Sequence, residues 1–409
     1  MDTPFRSQID LNTLPPPLLN SEPGSFAYRT FKVRVPAIIR EAVEINSFPD
    51  DILGALEALR AEVLEGTIRG LREAAPDRWF WDEAVRPYVG RTWLDVPWYW
   101  AEAFVYRRLI EATRYFQPGP WQGFDPYGAK KQTEWEPDAA PGAVNATLRD
   151  LPAGRQARFE ALLHASLWGN RTDLSYNVAA QLGDVVRHGD ERANLLVDDA
   201  GRVWEFLRRQ PRRRLVVVAD NAGTELLMDL ALVDFLLGEG LVEQAVLHLK
   251  QQPFFVSDTM PRDVEAGLTA LPHGGEAARA LGERIREHLE RGRLGLYTHW
   301  FYVTSLFHFQ LPDDLRAELA AADLVIFKGD VNYRRLLGDA HWPPTASFAQ
   351  ATAYFPAPLV ALRTCKGELI VGLAEGKVER LQAEDPEWMV NGRRGVVQGR
   401  FCLARPPGR

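Results

Sequence analysis

The sequence has 409 residues, of which 46% are hydrophobic and 25% are charged, and its formal net charge is -7. This length exceeds what one hydrophobic core usually supports, so we expect two lobes or one large domain with a helical extension. The acidic balance argues against nucleic acid as a partner, because proteins that bind a phosphate backbone usually carry a basic face. Two cysteines, Cys365 and Cys402, are too few for a disulfide framework or a cysteine-based zinc site.

The start of the chain predicts no targeting segment. It lacks the charged beginning and apolar run of a signal peptide, and no apolar run in the sequence is long enough to cross a bilayer. Together with the low cysteine count, this favours a cytoplasmic protein without a membrane partner. A monomer is the default expectation for its oligomeric state.

The first part of the chain has the apolar spacing of helices. From about Phe26 to Arg155 the apolar residues recur at helical intervals, as in Ile52, Leu56 and Leu59, and strand-like runs are scarce. We therefore predict a helical N-terminal region over residues 1–165.

The pattern of apolar residues changes after about Arg212, where short β-branched runs alternate with helical patterns. The runs are RLVVVAD, LVEQAVLHL, DLVIFKGD and PLVALR, and the helical patterns between them include residues 224–237 and 277–289. Such alternation is typical of βα units on a mostly parallel sheet. The predicted fold class is α/β, with the helical N-terminal region packed on a Rossmann-like, mostly parallel α/β/α sandwich that forms a catalytic domain over residues 166–409.

Ligands of open parallel sheets bind beyond the carboxyl ends of the strands, so the polar residues there are candidate site residues. Asp220 and Asn221 follow the run LVVVA, and Asp258 follows the next strand and its loop. Neighbouring strand ends converge, so these three oxygen donors could hold a hard divalent cation. Asp220 could instead attack phosphorus itself. Equally, each of the three could be only a turn or helix-cap residue.

Cations follow the next two strands. Lys328 comes directly after LVIF with Gly and Arg334 beyond it, which suits a phosphate cradle. Arg363 and Lys366 follow PLVAL and would balance a dianionic phosphate, although the same spacing occurs in many surface turns. Lys328 and Arg334 could likewise be solvated loop charges.

Four other polar residues have both functional and structural interpretations. Asn170 and Asp173 join the two halves, with Asp173 either an acid behind the metal ligands or a helix cap. Glu102 lies on an apolar helix, where an ion pair with Arg107 or Arg108 is the expected explanation of a buried carboxylate. We expect His299, beside Trp300, to be structural.

The order of several motifs carries a resemblance to a known family. The segments are LWGNRTDLS, VVADNAGTELLMDL, FFVSD, FKGDVNYRRLLGD with a following HWP, and RTCK. Together they resemble the damage-control phosphatase family, in the branch marked by an RTxK motif. Members of that branch have also been proposed to be protein-glutamate carboxyl methyltransferases. The segments SFAYRTFKVRVPAII and TWLDVPWYWAEAFVYRRL extend the resemblance over nearly the whole chain.

The resemblance implies a site as well as an activity. It places metal ligands on Asp220, Asn221 and Asp258, and it implies a divalent cofactor, which could be Mn²⁺, Ni²⁺, Co²⁺ or Mg²⁺. Some substrate and phosphate contacts are implied by the resemblance, and others are expected from the strand-end cations and from the segment that joins the halves. Together the predicted contacts are Glu225, Lys328, Asp330, Asn332, Tyr333, Arg334, Arg363, Lys366 and Asn170.

We therefore predict a metal-dependent phosphatase that hydrolyses small phosphate monoesters, with sugar phosphates or damaged phosphometabolites as substrates. The nucleophile could be a metal-bound water or Asp220. One alternative is a methyltransferase that uses S-adenosylmethionine, although the turn DNAGTE lacks the closely spaced glycines that let a nucleoside approach the backbone. A non-catalytic metabolite-binding protein on the same fold is the other alternative.

Overall fold

The central sheet is built entirely from the second half of the chain. The computed structural model describes residues 7–169, 192–209 and 212–401. Within these ranges one seven-stranded sheet has the order β1-β7-β6-β5-β2-β3-β4. Its strands are β1 (Leu195–Asp198), β2 (Arg212–Val218), β3 (Val242–Leu249), β4 (Leu294–Thr298), β5 (Leu324–Lys328), β6 (Leu359–Thr364) and β7 (Gly395–Arg400).

Strands β2 to β6 are mutually parallel, while β7 runs antiparallel to β6 and pairs in parallel with β1. The prediction of a mostly parallel α/β sheet is therefore confirmed. The four β-branched runs became β2, β3, β5 and β6. Strands β1, β4 and β7 were not predicted, because they are short or interrupted by glycine and lack a continuous β-branched run.

Helices occupy most of the chain before the sheet and the connections within it. The helices that the structure describes before β1 are α1 (Phe26–Arg29), α2 (Val35–Glu44), α3 (Asp50–Glu65), α4 (Arg78–Val85), α5 (Trp98–Ala112), α6 (Gly128–Glu134), α7 (Ala140–Arg149) and α8 (Arg155–Trp168). Those after it are α9 (Ala200–Arg208), α10 (Thr224–Gly238), α11 (Pro261–Ala270), α12 (Glu276–Glu290), α13 (Asp313–Ala320), α14 (Gly329–Leu337), α15 (Phe348–Ala351) and α16 (Lys377–Glu384). A π-helical segment, Thr30–Arg34, joins α1 to α2.

The two faces of the sheet bury two different cores, because alternate side chains of a strand point to opposite faces. Val216 and Val218 of β2 belong to the core that includes the helices from α1 to α5. Leu215 and Val217 belong to the core that includes α7, α8 and α10. The predicted helical layer on an α/β/α sandwich is thus present. The predicted boundary at residue 165 falls within α8. The division of the chain into two regions remains a prediction.

The strand order reverses beside β2. From β2 the chain moves outward through β3 to β4, then returns to place β5 on the other side of β2, with β6 beyond it. The carboxyl ends of β2 and β5 therefore flank the switch point at which ligands bind in such sheets. None of the helices in the described ranges combines the length and apolar character needed to cross a bilayer.

Candidate active site

Backbone pairing beyond β2 brings the three predicted metal ligands together. Asn221 and Asp258 form an isolated antiparallel bridge. On either side of it, the Ala222 N–H donates to the Ser257 carbonyl at 2.7 Å and the Thr259 N–H donates to the Asp220 carbonyl at 2.8 Å. Asp220, Asn221 and Asp258 consequently line one pocket, each at most 7% exposed.

The turn after β5 packs directly on this group. Gly329 has φ +81°, and a Cβ atom at that position would lie 1.8 Å from Oδ2 of Asp220. Only glycine adopts this backbone conformation at low cost while leaving room for the carboxylate. The ends of β2 and β5 therefore meet at the Asp220 carboxylate.

The amide of Asn221 has a defined orientation. Its Nδ2 donates to Oδ2 of Asp220 at 3.0 Å and to Oε2 of Glu225 at 2.9 Å. Its Oδ1 is thereby turned away from those carboxylates and accepts from the Ser257 hydroxyl at 2.6 Å. A carbonyl oxygen has two lone pairs, so Oδ1 retains capacity for a second partner.

This donor set fits a hard divalent cation. Two carboxylates and one amide oxygen are ligands that Mg²⁺ or Mn²⁺ accepts, with waters completing the coordination. The glycine at position 329 leaves space beside the Asp220 carboxylate. Over the described residues, no three His, Cys, Asp or Glu side chains come together in a way that could hold a metal ion. A metal ion bound by these side chains would therefore need the amide oxygen of Asn221 as a third ligand.

Two buried lysines hold the loop that carries Asp258. Lys131 Nζ donates to the Asp258 carbonyl at 2.8 Å and to Asp263 at 2.9 Å. Lys250 Nζ lies 3.3 Å from Oδ2 of Asp258, and both side chains are 2% exposed. Phe255, in the same loop, has φ 51° and packs its ring 4.7 Å from Tyr106.

Lys328 lies behind the pocket wall, which differs from its expected place in a phosphate cradle. Its ammonium group is 0% exposed and contacts Glu225 Oε1 at 2.8 Å, Asp229 Oδ1 at 2.7 Å and the Ser166 carbonyl at 2.8 Å. Burial lowers the pKa of Lys328, but the two carboxylates outweigh burial and hold this pKa above its usual value. Burial raises the pKa of Asp229 to about 6, with Lys328 opposing the increase. Glu225 thus links Lys328 to the amide of Asn221.

Asp330 and Arg363 organise the RTCK segment. Oδ1 of Asp330 accepts from Arg363 Nε at 2.7 Å and from the Lys366 N–H at 3.1 Å. Arg363 also donates to the carbonyl oxygens of Gly367, at 3.0 Å, and Leu369. The buried guanidinium therefore holds the loop that presents Lys366 to the pocket. Burial also raises the pKa of the Cys365 thiol, in the same loop, to about 11.

Asn332 and Tyr333 point away from the pocket. Asn332 Nδ2 donates to the carbonyl oxygens of Lys328, at 2.9 Å, and Ala219, at 3.3 Å, which ties α14 to the end of β2. The Tyr333 hydroxyl donates to Gln398 at 2.8 Å, and its ring lies 4.4 Å from the Arg363 guanidinium. Both contacts stabilise the sheet and α14 rather than contribute to the pocket lining.

Arg334 joins α14 to the helical layer. Its Nε and NH2 groups donate to Asp339 at 2.7 and 3.0 Å, and its NH1 group donates to Glu102 at 2.7 Å. The guanidinium lies 3.6 Å from the centre of the Trp98 ring. The expectation that Glu102 pairs with Arg107 or Arg108 is therefore wrong. Arg107 pairs with Glu73 and Asp77, and Arg108 pairs with Glu62 and Glu111.

The helical layer forms a pocket wall that was not predicted from the sequence. Trp98, Glu102 and Tyr106 of α5 line the pocket, as do Thr30 and Arg34 of the π-helical segment. Positions 98, 102 and 106 are four apart and so share one helix face. The sequence feature that could have indicated this wall is Glu102, a carboxylate among the aromatic residues of a helix. Its burial and pairing were expected, but its partner was predicted wrongly. Burial raises the pKa of Glu102, and the nearby Arg334 and Arg34 oppose the increase.

The predicted residues thus fall into three groups. Six line the pocket: Asp220, Asn221, Asp258, Asp330, Arg334 and Lys366. Five lie behind it: Glu225, Lys328, Asn332, Tyr333 and Arg363. Asn170 and Asp173 lie outside the described residues. Outside these groups, His299 has the structural contacts expected of it: its Nδ1 accepts from the Phe301 N–H at 3.0 Å and caps a short 3₁₀ turn.

Comparison with known proteins relates this geometry to a family. The model of the damage-control phosphatase ARMT1-like domain matches residues 30–381. Damage-control phosphatase ARMT1 of Danio rerio is 32% identical, covering 94% of this chain and 97% of the relative. The protein of that name from Mus musculus is 31% identical, with 92% and 96% covered, and that from Homo sapiens is 29% identical, with 94% and 98% covered.

A crystal structure of a DUF89 family protein from Pyrococcus horikoshii aligns with a TM-score of 0.49 at 13% identity, covering 91% of this chain and 98% of that one. The family model spans both the helical wall and the strand-end residues of the pocket. This chain belongs to the damage-control phosphatase ARMT1-like family.

Proposed function

We propose that this protein hydrolyses small phosphate monoesters with a divalent metal ion held by Asp220, Asn221 and Asp258. The observation that carries the proposal is the convergence of these three side chains in one pocket at the sheet's switch point. Family membership supports the reaction class, since the matched relatives are named phosphatases. When bound, the metal would polarise a phosphoryl oxygen and position the nucleophile.

The chain's own residues would arrange the substrate around that ion. Lys366 lines the pocket and supplies positive charge for the phosphoryl group. Arg334 lines the pocket as well, and its charge is already balanced by Glu102 and Asp339, so it contributes N–H groups rather than net positive charge. Asp330 and Arg363 position Lys366 through the bonds to its backbone and loop. The Arg334 guanidinium and the backbone of Lys366 are held before the substrate arrives, so little reorganisation of these groups accompanies the reaction.

A further set of residues would position the metal ligands. Glu225 accepts from the amide of Asn221, and Lys328 holds Glu225 in place. Asn332 ties the start of α14 to the end of β2. We therefore assign Glu225, Lys328 and Asn332 to support of the site, together with Tyr333, rather than to substrate contact.

The finer features of the proposal rest on family resemblance. The name shared by the relatives, damage-control phosphatase, favours damaged phosphometabolites, with sugar phosphates as the simplest class to test. The metal is one of Mn²⁺, Ni²⁺, Co²⁺ and Mg²⁺. A cytoplasmic monomer remains the prediction for location and assembly.

The alternatives are less well supported. The turn DNAGTE, which leads into α10, places a buried carboxylate network where a methyltransferase would need closely spaced glycines. A purely metabolite-binding role would not require oxygen ligands and cations in one pocket. Neither alternative is favoured by the names of the relatives.

The test is phosphate release from p-nitrophenyl phosphate and a panel of sugar phosphates after EDTA treatment, with single divalent metals added back. We expect metal-restored turnover in the wild type. The Asp258→Ala variant should lose at least a hundredfold in kcat/KM, because one removed ligand leaves two. An Asp263→Ala variant, which alters a neighbouring buried carboxylate outside the pocket, separates ligand loss from loop damage. Equal turnover in wild type and Asp258→Ala would refute the proposed site.

A further inference from the structure

The pocket has two dissimilar walls. One wall is the strand-end group that contains the proposed metal ligands and Lys366. The opposite wall belongs to the helical layer, where α5 presents Trp98, Glu102 and Tyr106 on one face and the π-helical segment presents Arg34. A phosphate bound at the strand ends would therefore direct the rest of its ester toward α5.

The α5 wall is aromatic apart from one carboxylate. The rings of Trp98 and Tyr106 are packed against Arg334 and Phe255, so they are rigid surfaces. Glu102 lies between them, is 5% exposed, and accepts from Arg334 NH1 through Oε2 at 2.7 Å. A carboxylate offers about four acceptor positions on its two oxygens, so Oε1 keeps its capacity to accept.

The charge balance of this wall disfavours a second phosphate site there. Arg334 lies between two carboxylates, Glu102 and Asp339, both within 3.0 Å of its nitrogens. An anionic group would meet the negative charge of this pair. Hydroxyl groups, in contrast, donate to carboxylates, and these charge-assisted bonds are roughly twice as strong as neutral ones.

We propose that Glu102 is a specificity-determining residue that accepts hydrogen bonds from hydroxyl groups on the organic part of the substrate. The inference rests on the proposed phosphatase activity. It assigns the α5 wall to recognition of a neutral, hydroxylated group between two aromatic surfaces. Phosphate esters without hydroxyls lose this contact, and esters with a second anionic group meet the carboxylates.

A matched pair of substrates tests the proposal. Glycerol 1-phosphate and n-propyl phosphate share a carbon chain and differ by two hydroxyl groups. The wild type should prefer the glycerol ester by roughly 10-fold to 100-fold in kcat/KM, since a hydrogen bond to a charged group contributes about one to two powers of ten. In Glu102→Gln, which keeps an acceptor for Arg334, this preference should fall about tenfold. Glu102→Met, which removes the acceptor at similar length, should abolish it.

The control is Glu111→Gln. Glu111 lies on the same helix, is also buried and also pairs with arginines, but it does not line the pocket. Its variant should keep the wild-type preference, and circular dichroism with thermal melting should show that all three variants fold.

The outcomes separate the two proposals. If the wild type hydrolyses neither ester with any metal, the phosphatase assignment itself fails. If both esters are hydrolysed and the Glu102 variants lose activity equally on both, Glu102 acts only through Arg334 and the inference is overturned. An unchanged preference in Glu102→Met overturns it as well.

Discussion

Lys328 is the last residue of β5, and its ammonium group is buried, where Glu225 and Asp229 balance its charge. A lysine after a strand of apolar residues has the sequence appearance of a ligand-binding cation. The structure instead places it one layer behind the proposed ligands, since Glu225 connects it to Asn221. Its contribution is to orient the amide that would complete the proposed metal site.

Replacing Lys328 with methionine should be strongly destabilising. The variant leaves two buried carboxylates without their cation, so we expect the free energy of unfolding to fall by about 3–5 kcal/mol. Urea unfolding monitored by tryptophan fluorescence measures the change. Lys32→Met, at an exposed position, should stay within about 0.5 kcal/mol of the wild type. If the two variants proved equally stable, the buried cluster would not have the role assigned to it.

At the scale of elements, the turn from β5 into α14 brings two strand ends together. Gly329 begins α14 with φ +81°, and its missing side chain makes room for the Asp220 carboxylate. The same short helix then carries Asp330 and Arg334 into the pocket. One strand-to-helix turn therefore sets the distance between the proposed metal ligands and the residues proposed to contact the substrate.

Gly329→Ala should disrupt this turn. A left-handed backbone costs a non-glycine residue about 1–3 kcal/mol, and the new Cβ would displace Asp220 as well. We expect lower stability and a loss of Mn²⁺ affinity, measured by calorimetry on the metal-free protein. Gly54→Ala is the matched control, because Gly54 lies within α3 with nothing within 4 Å of a new Cβ. That variant should be neutral or more stable by about 0.5–1 kcal/mol. Unaltered metal affinity in Gly329→Ala would contradict the proposed contact.

At the scale of the whole molecule, the helical layer is part of the core and of the pocket. The face of the sheet that carries Val216, Val218 and Phe327 is buried in the same core as helices α1 to α5. The helical layer also contributes Glu102 and Arg34 to the pocket. The catalytic region predicted over residues 166–409 therefore shares both its core and its pocket with the rest of the chain.

A chain consisting only of residues 166–409 should not fold into an active protein. It would expose to water the part of one sheet face that α1 to α5 cover, together with the surfaces of α10 and β6 on which α8 packs. We expect insoluble protein, or soluble protein that binds a hydrophobic dye and unfolds without cooperativity. Size-exclusion chromatography and thermal unfolding, with the full chain as reference, measure this. A monodisperse fragment with a cooperative transition would show that residues 166–409 fold independently.

Much of the architecture was predictable because local patterns carry it. Four β-branched runs and the helical spacing before them predicted the α/β class, and the motif order predicted the family that the comparisons show. The three metal-ligand candidates were accessible because they follow strand ends, which converge in any parallel sheet. Strands β1, β4 and β7 were missed because β1 has only four residues and β4 and β7 contain glycine, so none of them has a continuous β-branched run.

Sequence alone determined which residues could carry charge or bind a metal, and in what order they follow the strands. Only the tertiary structure decided which of them face the pocket. Lys328 and Arg363 lie behind it, whereas Glu102, more than 200 residues away from Arg334, pairs with it across two layers. The reason is physical: partners of a buried charge are chosen by proximity in the folded state, where an unpaired charge is costly, and chain spacing does not specify them.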